Sequence, residues 1–385
     1  MPIHYRALAL GLARKGHQIT VLYTDRFGST NQLPQDDGIT FIPVKFKLPA
    51  IFHKPFWGRI LKTFNLTEKI RFHEDSKLIA RTIHQLDREK RFDIFESPNN
   101  GASLQQFLKG SDRNRCCIRI ATTDKEHSTI NQTESSPYLS ELFKAEGKTF
   151  RQCPNLVTHT RAHRDLICRE YGVDKETFSI IPLSVRVPSE DKIFPTADPS
   201  ETIVLFVGRF EKRKGVDILL EVIPEILSQN QKVIFRLVGP DPNDRYRKEF
   251  EKDHPELKSQ VLFLGEKTGN ALEQEYQNCD IFIAPSRYES FGLIYAEAMS
   301  FGKPAIGTDV GGIPEVIEHK KTGFLCINED VKSFVDALLN LIDKPDLAKE
   351  MGIRGRERVI QFFNMEKLIP DTEEYYRKIG KIQAN

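Results

Sequence analysis

Residues 280–297 read D-I-F-I-A-P-S-R-Y-E-S-F-G-L-I-Y-A-E, and this stretch decides the fold of the second half of the chain. The run 280–284 is short and almost entirely apolar, which is typical of a strand buried on both faces of a parallel sheet. Pro285 and Ser286 end the run. A helix follows, for which Ser290 or a close neighbour is the predicted N-cap. The stretch therefore predicts one strand–loop–helix unit of an α/β domain.

The loop between this strand and this helix carries groups that suit a sugar nucleotide. Gly292 lies at the start of the helix and has no Cβ, so a ligand can approach the backbone there. The first N–H groups of a helix also attract phosphate. Glu289 precedes the helix and Glu297 lies about two turns along it, and ionised carboxylates accept hydrogen bonds from hydroxyl groups. An ordinary strand–loop–helix unit with two solvated glutamates is the alternative interpretation at this point.

The composition describes a globular chain of 385 residues with 39% hydrophobic and 29% charged residues, a length that predicts two or three domains. The formal net charge of +2 gives no argument for a nucleic-acid partner. No apolar run reaches the ~20 residues that cross a bilayer, and no long apolar segment marks a signal peptide. The six cysteines have neither C-x-x-C nor zinc spacing. We therefore expect buried, reduced thiols in a cytoplasmic protein.

The first half of the chain also predicts α/β structure, but it opens on a helix. Helical periodicity covers residues 3–15, and strands are predicted at 18–23 and 39–44. In a doubly wound fold a strand with a ligand loop precedes such a helix, so we expect the first strand of this domain to be missing. Farther along, residues 99–110 are predicted to form a helix and residues 116–121 another buried strand.

Residues 43–74 differ in character from the rest of this half. Lysines and arginines alternate there with phenylalanines and Trp57, against only two glutamates. A basic, aromatic stretch of this kind can rest on an anionic membrane surface, or hold an acidic or lipid-linked acceptor. It can equally be a solvated insertion whose rings cover the core. Both interpretations stay open on the sequence alone.

The alternation of strands and helices restarts after a segment rich in Pro, Ser and Asp, which is typical of an interdomain linker. Strands are predicted at 202–207, 233–238, 261–264, 280–284 and 304–307. Each is followed by a helix, which indicates a parallel sheet. The predicted organisation is an N-terminal domain over 1–187, a linker over 188–200, a C-terminal domain over 201–364 and a last helix within 365–385 that can return to the first domain.

Three further loops follow strands of this second alternation and belong to the same edge of the sheet as the loop before Gly292. Arg209 and Lys214, five apart in a glycine-bounded loop, suit a diphosphate. Two other loops carry glycines where backbone N–H groups can approach a ligand; these are Gly239, and Gly311 with Gly312. Each loop alone has a plain interpretation as a charged loop or a tight turn. Their convergence on one edge favours a binding site.

Together these residues resemble glycosyltransferase family 4, the retaining nucleotide-sugar transferases of group 1 with the GT-B fold. The segments that carry the resemblance are F-V-G-R-F-E-K-R-K-G (206–215), L-V-G-P-D (237–241), F-L-G (263–265), P-S-R-Y-E-S-F-G-L-I-Y-A-E-A-M-S-F-G-K-P (285–304) and G-G-I-P-E (311–315). The resemblance covers residues 201–362 closely. It is weaker in the first half, where A-L-G-L-A-R-K-G-H-Q-I-T-V-L (9–22) and Y-G-V-D-K-E-T-F-S-I-I-P (171–182) carry it. It implies two Rossmann-like, doubly wound parallel-sheet domains that face a central cleft.

The resemblance also implies a role for each loop. Arg209 and Lys214 would hold the donor diphosphate and neutralise the leaving group, while Glu289 would contact hydroxyls of the donor sugar and Glu297 those of the ribose. The other positions implied to bind the nucleotide sugar are Gly208, Gly239, Ser290, Phe291, Gly292, Leu293, Gly311 and Gly312. The GT-B class usually needs no metal, and no D-x-D pattern is present here. The nucleotide sugar is therefore expected as a co-substrate, with no cofactor.

The chain departs from the family pattern at two further places. The predicted strand 116–121 ends in Ala121, where many relatives have a histidine near the donor sugar, and His127 is the candidate to replace it. The segment 182–185 reads P-L-S-V in place of the more usual P-N-G-V, so the hinge between the domains can differ.

The sequence thus predicts a cytoplasmic, retaining glycosyltransferase that moves a sugar from a nucleotide-diphosphate donor to a glycan, lipid-linked or small-molecule acceptor. Contact with the inner face of an anionic membrane through 43–74 is part of this hypothesis, and a nucleic-acid partner is not. One alternative is a catalytically impaired, sugar-nucleotide-binding regulatory or scaffold protein, which the opening on a helix favours. Another is a GT-B-type epimerase that acts on the sugar nucleotide itself.

Overall fold

The computed structural model describes residues 3–25, 38–45, 66–99, 103–133, 136–190, 193 and 201–380. The chain divides into two compact units. The N-terminal unit contains Met1–Ser128, Thr133–Ile181 and Leu368–Asn385, and the C-terminal unit contains Thr129–Gln132 and Pro182–Lys367. The chain therefore passes into the C-terminal unit at Pro182, earlier than the sequence-based boundary at 187. The reason is that Val185 is buried in the core of the C-terminal unit and its N–H donates to the Phe363 carbonyl at 2.8 Å.

The N-terminal unit consists of parallel strands covered by helices. It opens with α1 (Ile3–Arg14), β1 (Ile19–Asp25), β2 (Ile39–Lys45) and α2 (Leu66–Lys90). It continues with β3 (Phe95–Pro98), β4 (Cys116–Arg119), α3 (Asp124–Ile130), α4 (Pro137–Gln152), β5 (Leu156–Thr158), α5 (Arg161–Tyr171) and β6 (Phe178–Ile180). β1 and β2 pair with each other, and the other four strands form a second sheet in the order β3-β4-β5-β6. Every pairing is parallel, as expected of an α/β domain.

Local signals fix where the helices of this unit begin and end. α3 follows a capping box, in which Thr123 Oγ1 accepts from the Glu126 N–H at 3.2 Å while Glu126 Oε2 accepts from the Thr123 N–H at 2.6 Å. α5 begins after Thr160, whose side chain accepts from the His163 N–H, and ends at Gly172 in the left-handed conformation. Side-chain caps and a left-handed glycine therefore set the boundaries of these helices.

The helix predicted over 99–110 is wrong. Among the described residues of that range, the helical element is the 3-10 turn Phe107–Lys109. Just before it, the Gln106 N–H donates to the side-chain oxygen of Ser76 on α2 at 3.0 Å. A hydroxyl that takes a backbone donor competes with the regular helical bond, so the segment stays irregular.

The N-terminal unit buries charged groups inside its sheet. On β4, Arg119 is fully buried, and its Nε and Nη2 lie 2.8 and 3.1 Å from the two carboxylate oxygens of Glu96 on β3. Burial opposes the charged form of Glu96, but the Arg119 guanidinium outweighs it and holds the pKa of this carboxyl below its usual range. Glu146 on α4 is also buried and accepts hydrogen bonds from Asn99 Nδ2 (3.4 Å) and the Tyr171 hydroxyl (3.1 Å).

The C-terminal unit contains one sheet of six parallel strands among its described residues. Its elements are β7 (Thr202–Val207), α6 (Val216–Gln229), β8 (Val233–Val238), α7 (Arg245–Asp253), β9 (Val261–Phe263), α8 (Gly269–Asn278), β10 (Ile281–Ile283), α9 (Leu293–Ser300), β11 (Ala305–Thr308), α10 (Ile313–Val316), β12 (Gly323–Cys326), α11 (Val331–Ile342) and α12 (Pro345–Phe362). The spatial order is β9-β8-β7-β10-β11-β12. This is the order of a doubly wound sheet, and it reverses direction between β7 and β10.

The strands of this unit are buried because helices cover both faces of a parallel sheet. Every residue of β10 and β11 is buried, and the apolar face of α6 lies in the same core. That helix continues through Pro224 without a break. The sequence-based interpretation missed β12, a short edge strand that begins at Gly323 and pairs with β11. The predicted class, an α/β fold with doubly wound parallel sheets, is confirmed.

The last helix, α13 (Met365–Gly380), belongs to the N-terminal unit from Leu368 onward. The Tyr376 hydroxyl donates to Glu96 Oε2 on β3 at 2.6 Å. Closer to the start of the helix, Glu373 faces His17 Nε2 at 2.7 Å and forms an ion pair with Lys15. Charged and polar side chains thus attach the end of the chain to its beginning.

Most of the basic stretch 43–74 lies outside the described residues, since the structure leaves out 46–65. The membrane interpretation of this stretch stays a prediction. Within the part of the chain that the structure describes, no helix is both long and apolar enough to span a bilayer.

Candidate active site

Two loops meet where the strand order of the C-terminal unit reverses. The loop 208–215 follows β7 and the loop 284–292 follows β10, and these two strands are neighbours in the sheet. The Arg287 N–H donates to the Arg213 carbonyl at 2.8 Å, and the Arg287 guanidinium donates to the Lys212 carbonyl at 2.6 Å, so the loops are bonded to each other. Ligands of doubly wound sheets bind in the crevice at this reversal. The four predicted loops therefore converge on the expected place.

The glycines of these loops let one backbone pack on another. A Cβ at Gly239 would lie 1.8 Å from the Gly208 carbonyl oxygen, and one at Gly312 would lie 2.5 Å from the Ser290 carbonyl oxygen. The Gly312 N–H also donates to the Glu289 carbonyl at 2.8 Å. Gly239 and Gly312 therefore let one loop pack closely on another, and the approach of a ligand to their backbone stays a prediction. The neighbouring Gly311 lies in the same packed turn.

Glu289 lies at the centre of the two loops, and its side chain is 10% exposed. Its Oε1 is 2.5 Å from Lys214 Nζ and accepts from Ser286 Oγ at 3.1 Å, while its Oε2 is 3.3 Å from Arg213 Nη1. Burial disfavours the charged carboxylate, but the positive charges of Lys214 and Arg213 outweigh it and lower the pKa of Glu289. Lys214 and Glu289, predicted from separate motifs, form one ion pair.

Arg213 is a site residue that the sequence-based interpretation missed. Its side chain is 7% exposed, although it lies between two lysines in a loop. The guanidinium contacts Glu211 Oε1 through Nη2 (3.0 Å), the Tyr288 carbonyl through Nη1 (3.2 Å) and Glu289. The one signal in the sequence is the acidic Glu211 two residues earlier, which can hold an arginine inside its own loop.

Arg209 occupies a more open position than Lys214. Its side chain is 56% exposed, and Nη2 lies 3.3 Å from Glu211 Oε1. Glu211 therefore contacts both Arg209 and Arg213. An exposed guanidinium next to a buried ammonium can reach an incoming anion without losing a buried partner.

Glu297 is the second predicted carboxylate, and it lies half-buried on α9. Its Oε2 accepts from the Tyr276 hydroxyl at 2.7 Å. Burial raises the pKa of Glu297, while the Tyr276 hydrogen bond and the charge of Lys214 act in the opposite direction. Tyr276 thus fixes the orientation of this carboxyl group at the side of the helix.

The N-terminus of α9 is open to backbone contacts. The N-cap is Gly292 in the left-handed conformation (φ 99°), a close neighbour of Ser290 two residues farther along, and it makes no side-chain cap hydrogen bond. A Cβ at Gly292 would lie 2.7 Å from the Tyr295 ring, which makes glycine necessary there. Phe291 packs on Phe363 with its ring centroid 5.3 Å away. A ligand at this helix end would therefore meet backbone N–H groups, including that of Leu293.

Metal ligands are not clustered in the part of the chain that the structure describes, where no three His, Cys, Asp or Glu side chains could share an ion. Independence from a metal stays a prediction. His127 lies on α3 of the N-terminal unit, and its proximity to the donor also stays a prediction.

Comparisons with known proteins agree with this geometry. The model of "Glycosyltransferase Family 4" matches residues 1–187, and the model of "Glycosyl transferases group 1" matches residues 189–358. The N-acetyl-alpha-D-glucosaminyl L-malate synthase of Bacillus anthracis is 36% identical over 186 residues, which are 48% of this chain and 48% of that protein. This match spans about half the length of the relative. An uncharacterized glycosyltransferase of Methanocaldococcus jannaschii is 23% identical over 98% of this chain and 94% of that protein.

Solved structures share the fold over nearly the whole chain. Sucrose-phosphate synthase from Thermosynechococcus elongatus superposes with a TM-score of 0.77 at 20% identity, covering 99% of this chain and 94% of that one. HepE of Anabaena in complex with UDP-glucose gives a TM-score of 0.64 at 16% identity, covering 94% of this chain and 100% of that one. In succession, the two family models cover most of the two units described above. The chain belongs to the group 1, family 4 glycosyltransferases with the GT-B fold.

Proposed function

We propose that this protein transfers a sugar from a nucleoside-diphosphate sugar to a hydroxyl group of an acceptor, with retention of configuration at the anomeric carbon. The observation that carries the proposal is the pairing of Lys214 with Glu289 at the reversal of the sheet, beside the exposed Arg209. Cations that can neutralise a diphosphate and a carboxylate that can accept sugar hydroxyls lie within one pair of loops. We take UDP as the nucleotide, because HepE, which has the same fold, was solved with UDP-glucose.

The donor half would work mainly through electrostatic stabilisation. When the bond between the anomeric carbon and the diphosphate oxygen breaks, negative charge develops on the diphosphate. Arg209 and Lys214, together with the N–H groups at the start of α9, stabilise that charge, and a preorganised arrangement of this kind is a large part of catalysis. Glu289 would accept hydrogen bonds from the sugar hydroxyls, and Glu297, oriented by Tyr276, from the ribose hydroxyls.

Retention constrains where the acceptor binds. The acceptor hydroxyl must attack from the face that the diphosphate leaves, so that its oxygen takes the place of the leaving oxygen. The departing diphosphate lies on that face and can accept the hydroxyl proton. The acceptor class stays as broad as the sequence predicted: a glycan, a lipid-linked sugar or a small molecule.

The test is a thermal-shift screen against UDP-, GDP- and ADP-sugars, followed by turnover assays on any donor that binds. We expect stabilisation by a UDP-sugar, which is lost in Glu289→Gln, and turnover in the presence of EDTA. Stabilisation without turnover on any acceptor panel would favour the alternative of a binding or scaffold protein. Conversion of the donor to another sugar nucleotide without an acceptor would favour an epimerase. No shift with any nucleotide sugar would contradict the proposal.

We also propose that the protein is cytoplasmic and that the basic, aromatic stretch 43–74 holds it at an anionic membrane. Sedimentation with vesicles that contain anionic lipid tests this contact, since electrostatic association weakens steeply as salt rises. Binding that vanishes in high salt supports it. Equal sedimentation with neutral and anionic vesicles contradicts it.

A further inference from the structure

Arg213 and Lys214 contact the same carboxylate, but they differ in how firmly each is held. Among the described residues, Lys214 forms one ion pair, which is with Glu289. Its ammonium lies at the end of a flexible four-carbon side chain. Arg213 contacts Glu289 as well. In addition it donates to Glu211 Oε1 from Nε (3.2 Å) and Nη2 (3.0 Å), and to the Tyr288 carbonyl from Nη1 (3.2 Å). The guanidinium is therefore fixed on several sides, while Glu289 is the one ion-pair partner of the ammonium among the described residues.

A donor diphosphate would compete with Glu289 for Lys214. A diphosphate carries more negative charge than one carboxylate, so it draws the ammonium toward itself. Glu289 would then be left with a weaker partner in a place where its side chain is only 10% exposed. A buried charge that loses its partner is strongly destabilised, and it either moves or takes up a proton. In both cases its hydrogen bonds to the sugar hydroxyls would weaken, because a displaced or protonated carboxyl group is a poorer acceptor.

We propose that Arg213 is a positioning residue that keeps the Glu289 carboxylate charged and in place while Lys214 turns to the donor diphosphate. This inference rests on the proposed function. Arg213 cannot follow Lys214 toward the phosphate, because Glu211 and the Tyr288 carbonyl hold its planar guanidinium. The two adjacent cations thus have different roles: Lys214 binds the donor and Arg213 holds the carboxylate.

The groups that face Glu289 determine how its protonation changes when Lys214 turns to the donor. Lys214 and Arg213 come from the loop after β7, Ser286 from the loop after β10, and Tyr295 from α9. The Tyr295 hydroxyl donates to the Ala284 carbonyl at 2.7 Å, and the pKa of Tyr295 is raised by burial and by the Glu289 charge, so it adds no negative charge near neutral pH. When Lys214 is engaged by phosphate, Arg213 is, among the described residues, the remaining full positive charge in contact with the carboxylate.

The experiment compares Arg213→Met, Arg213→Lys and a matched control, Arg287→Met, in the full-length protein. Arg287 is also a half-buried arginine of these loops, but it pairs with Asp217 at 2.7 and 2.8 Å and does not contact Glu289. For R213M we expect kcat to fall on the order of tenfold to hundredfold, with affinity for UDP unchanged within about threefold. The acid limb of the kcat–pH profile should move up by about one pH unit, because Glu289 loses a cation. R213K should recover part of kcat and return the acid limb part of the way to its parental position.

Two results would overturn the inference. If UDP affinity falls as much as kcat in R213M, Arg213 binds the diphosphate itself. If R213M and R287M lose activity alike and neither moves the acid limb, both arginines only hold the loops together.

A measurement without any donor keeps the inference separate from the proposed function. Urea unfolding of R213M, Glu289→Gln and the double variant forms a cycle. We expect the double variant to lose less stability than the sum of the two single variants, because each single variant breaks the ion pair between Arg213 and Glu289 and the double variant loses that pair only once. This result supports the pairing even if no sugar nucleotide is turned over. Additive losses would show that Arg213 does not stabilise the Glu289 charge, and would overturn the inference.

Discussion

The two units of the chain place buried charge differently. In the C-terminal unit, the buried pair of Arg213 and Glu289 lies in loops beyond the ends of the strands. In the N-terminal unit, the buried pair of Arg119 and Glu96 lies on the strands themselves, inside the sheet. A charge beyond a strand end can be shared with a ligand, whereas a charge inside a sheet serves the fold alone. From this difference we predict a functional role for the ionic groups of the C-terminal loops and a structural role for those inside the N-terminal sheet.

The largest expected effect is a loss of stability when the ion pair of Arg119 with Glu96, inside the sheet, is broken. Arg119→Met should destabilise the protein by about 3–5 kcal/mol, because it leaves the Glu96 carboxylate buried without its partner. Urea unfolding measures this loss. The double variant with Glu96→Gln should recover part of the stability. Arg115→Met is the control, since Arg115 is more exposed and pairs with Asp87 near the surface. Equal losses in the two arginine variants would remove the distinction between the interior pair and the surface pair.

The ion pair of Lys214 with Glu289, which we propose to bind the donor, should respond in activity rather than in stability. Lys214→Met should lower turnover of a UDP-sugar by on the order of 10²–10³-fold, as expected when one preorganised group that stabilises transition-state charge is removed. Its melting temperature should stay close to that of the parent, because Arg213 still pairs with Glu289. Lys212→Met, on the same loop, is the matched control. A K214M protein that melts early and keeps its turnover would make Lys214 a structural residue.

Glu146 should give the N-terminal unit a pH-dependent stability. Burial, together with the nearby Asp124 charge, raises the pKa of this carboxyl from its ordinary value of 4.5 to about 8 in the folded protein. Between these values the folded state holds a proton that the unfolded state releases, so stability is full below about pH 4.5 and falls as pH rises to about 8. Glu146→Gln should remove this slope and be more stable than the parent at pH 8, by on the order of 2 kcal/mol.

Urea unfolding at pH 5, 6.5 and 8 measures the slope, and Glu141→Gln on the same helix is the control. An E146Q protein whose stability follows the parent at every pH would show that Glu146 is ionised in the folded state at neutral pH. The hydrogen bonds from Asn99 and Tyr171 would then have to hold a charged carboxylate.

The smallest effect is expected at the rim of the N-terminal unit. Hydrogen bonds from Lys15 and His17 lower the pKa of Glu373, but both partners are more than two-fifths exposed, so solvent screens the interaction. Glu373→Gln should cost less than about 1 kcal/mol, and the loss should shrink in high salt. A larger, salt-independent loss would place this pair with the interior charges.

The sequence predicted the C-terminal unit better than the N-terminal unit, for physical reasons. Apolar strands followed by amphipathic helices and glycine loops are local patterns, and they located β7, β8, β10 and β11 as well as Lys214 and Glu289. The role of Arg213 is not local, because its buried position depends on the Tyr288 carbonyl 75 residues away. Likewise nothing in the strand C-C-I-R reveals that Arg119 is interior, since its partner Glu96 is 23 residues away in the chain.

Glycines show a second limit of prediction from the sequence. Gly239 and Gly312 permit a close approach of neighbouring backbone, while the approach of a ligand to them stays a prediction. A glycine indicates the close approach of another group, but the sequence alone does not show whether that group is a ligand or another loop.

The return of the chain's end to its beginning has a consequence for biosynthesis. Tyr376 and Glu96 are 280 residues apart, and Leu368–Asn385 completes the N-terminal unit. A ribosome releases the first half of the chain long before the segment that covers it. The C-terminal unit is almost entirely the contiguous segment Pro182–Lys367. It can therefore form its core before the N-terminal unit is complete, although most of it is synthesised after the first half of the chain. A newly made N-terminal unit therefore stays incomplete until Leu368–Asn385 is synthesised. In that interval chaperones can bind it or it can aggregate.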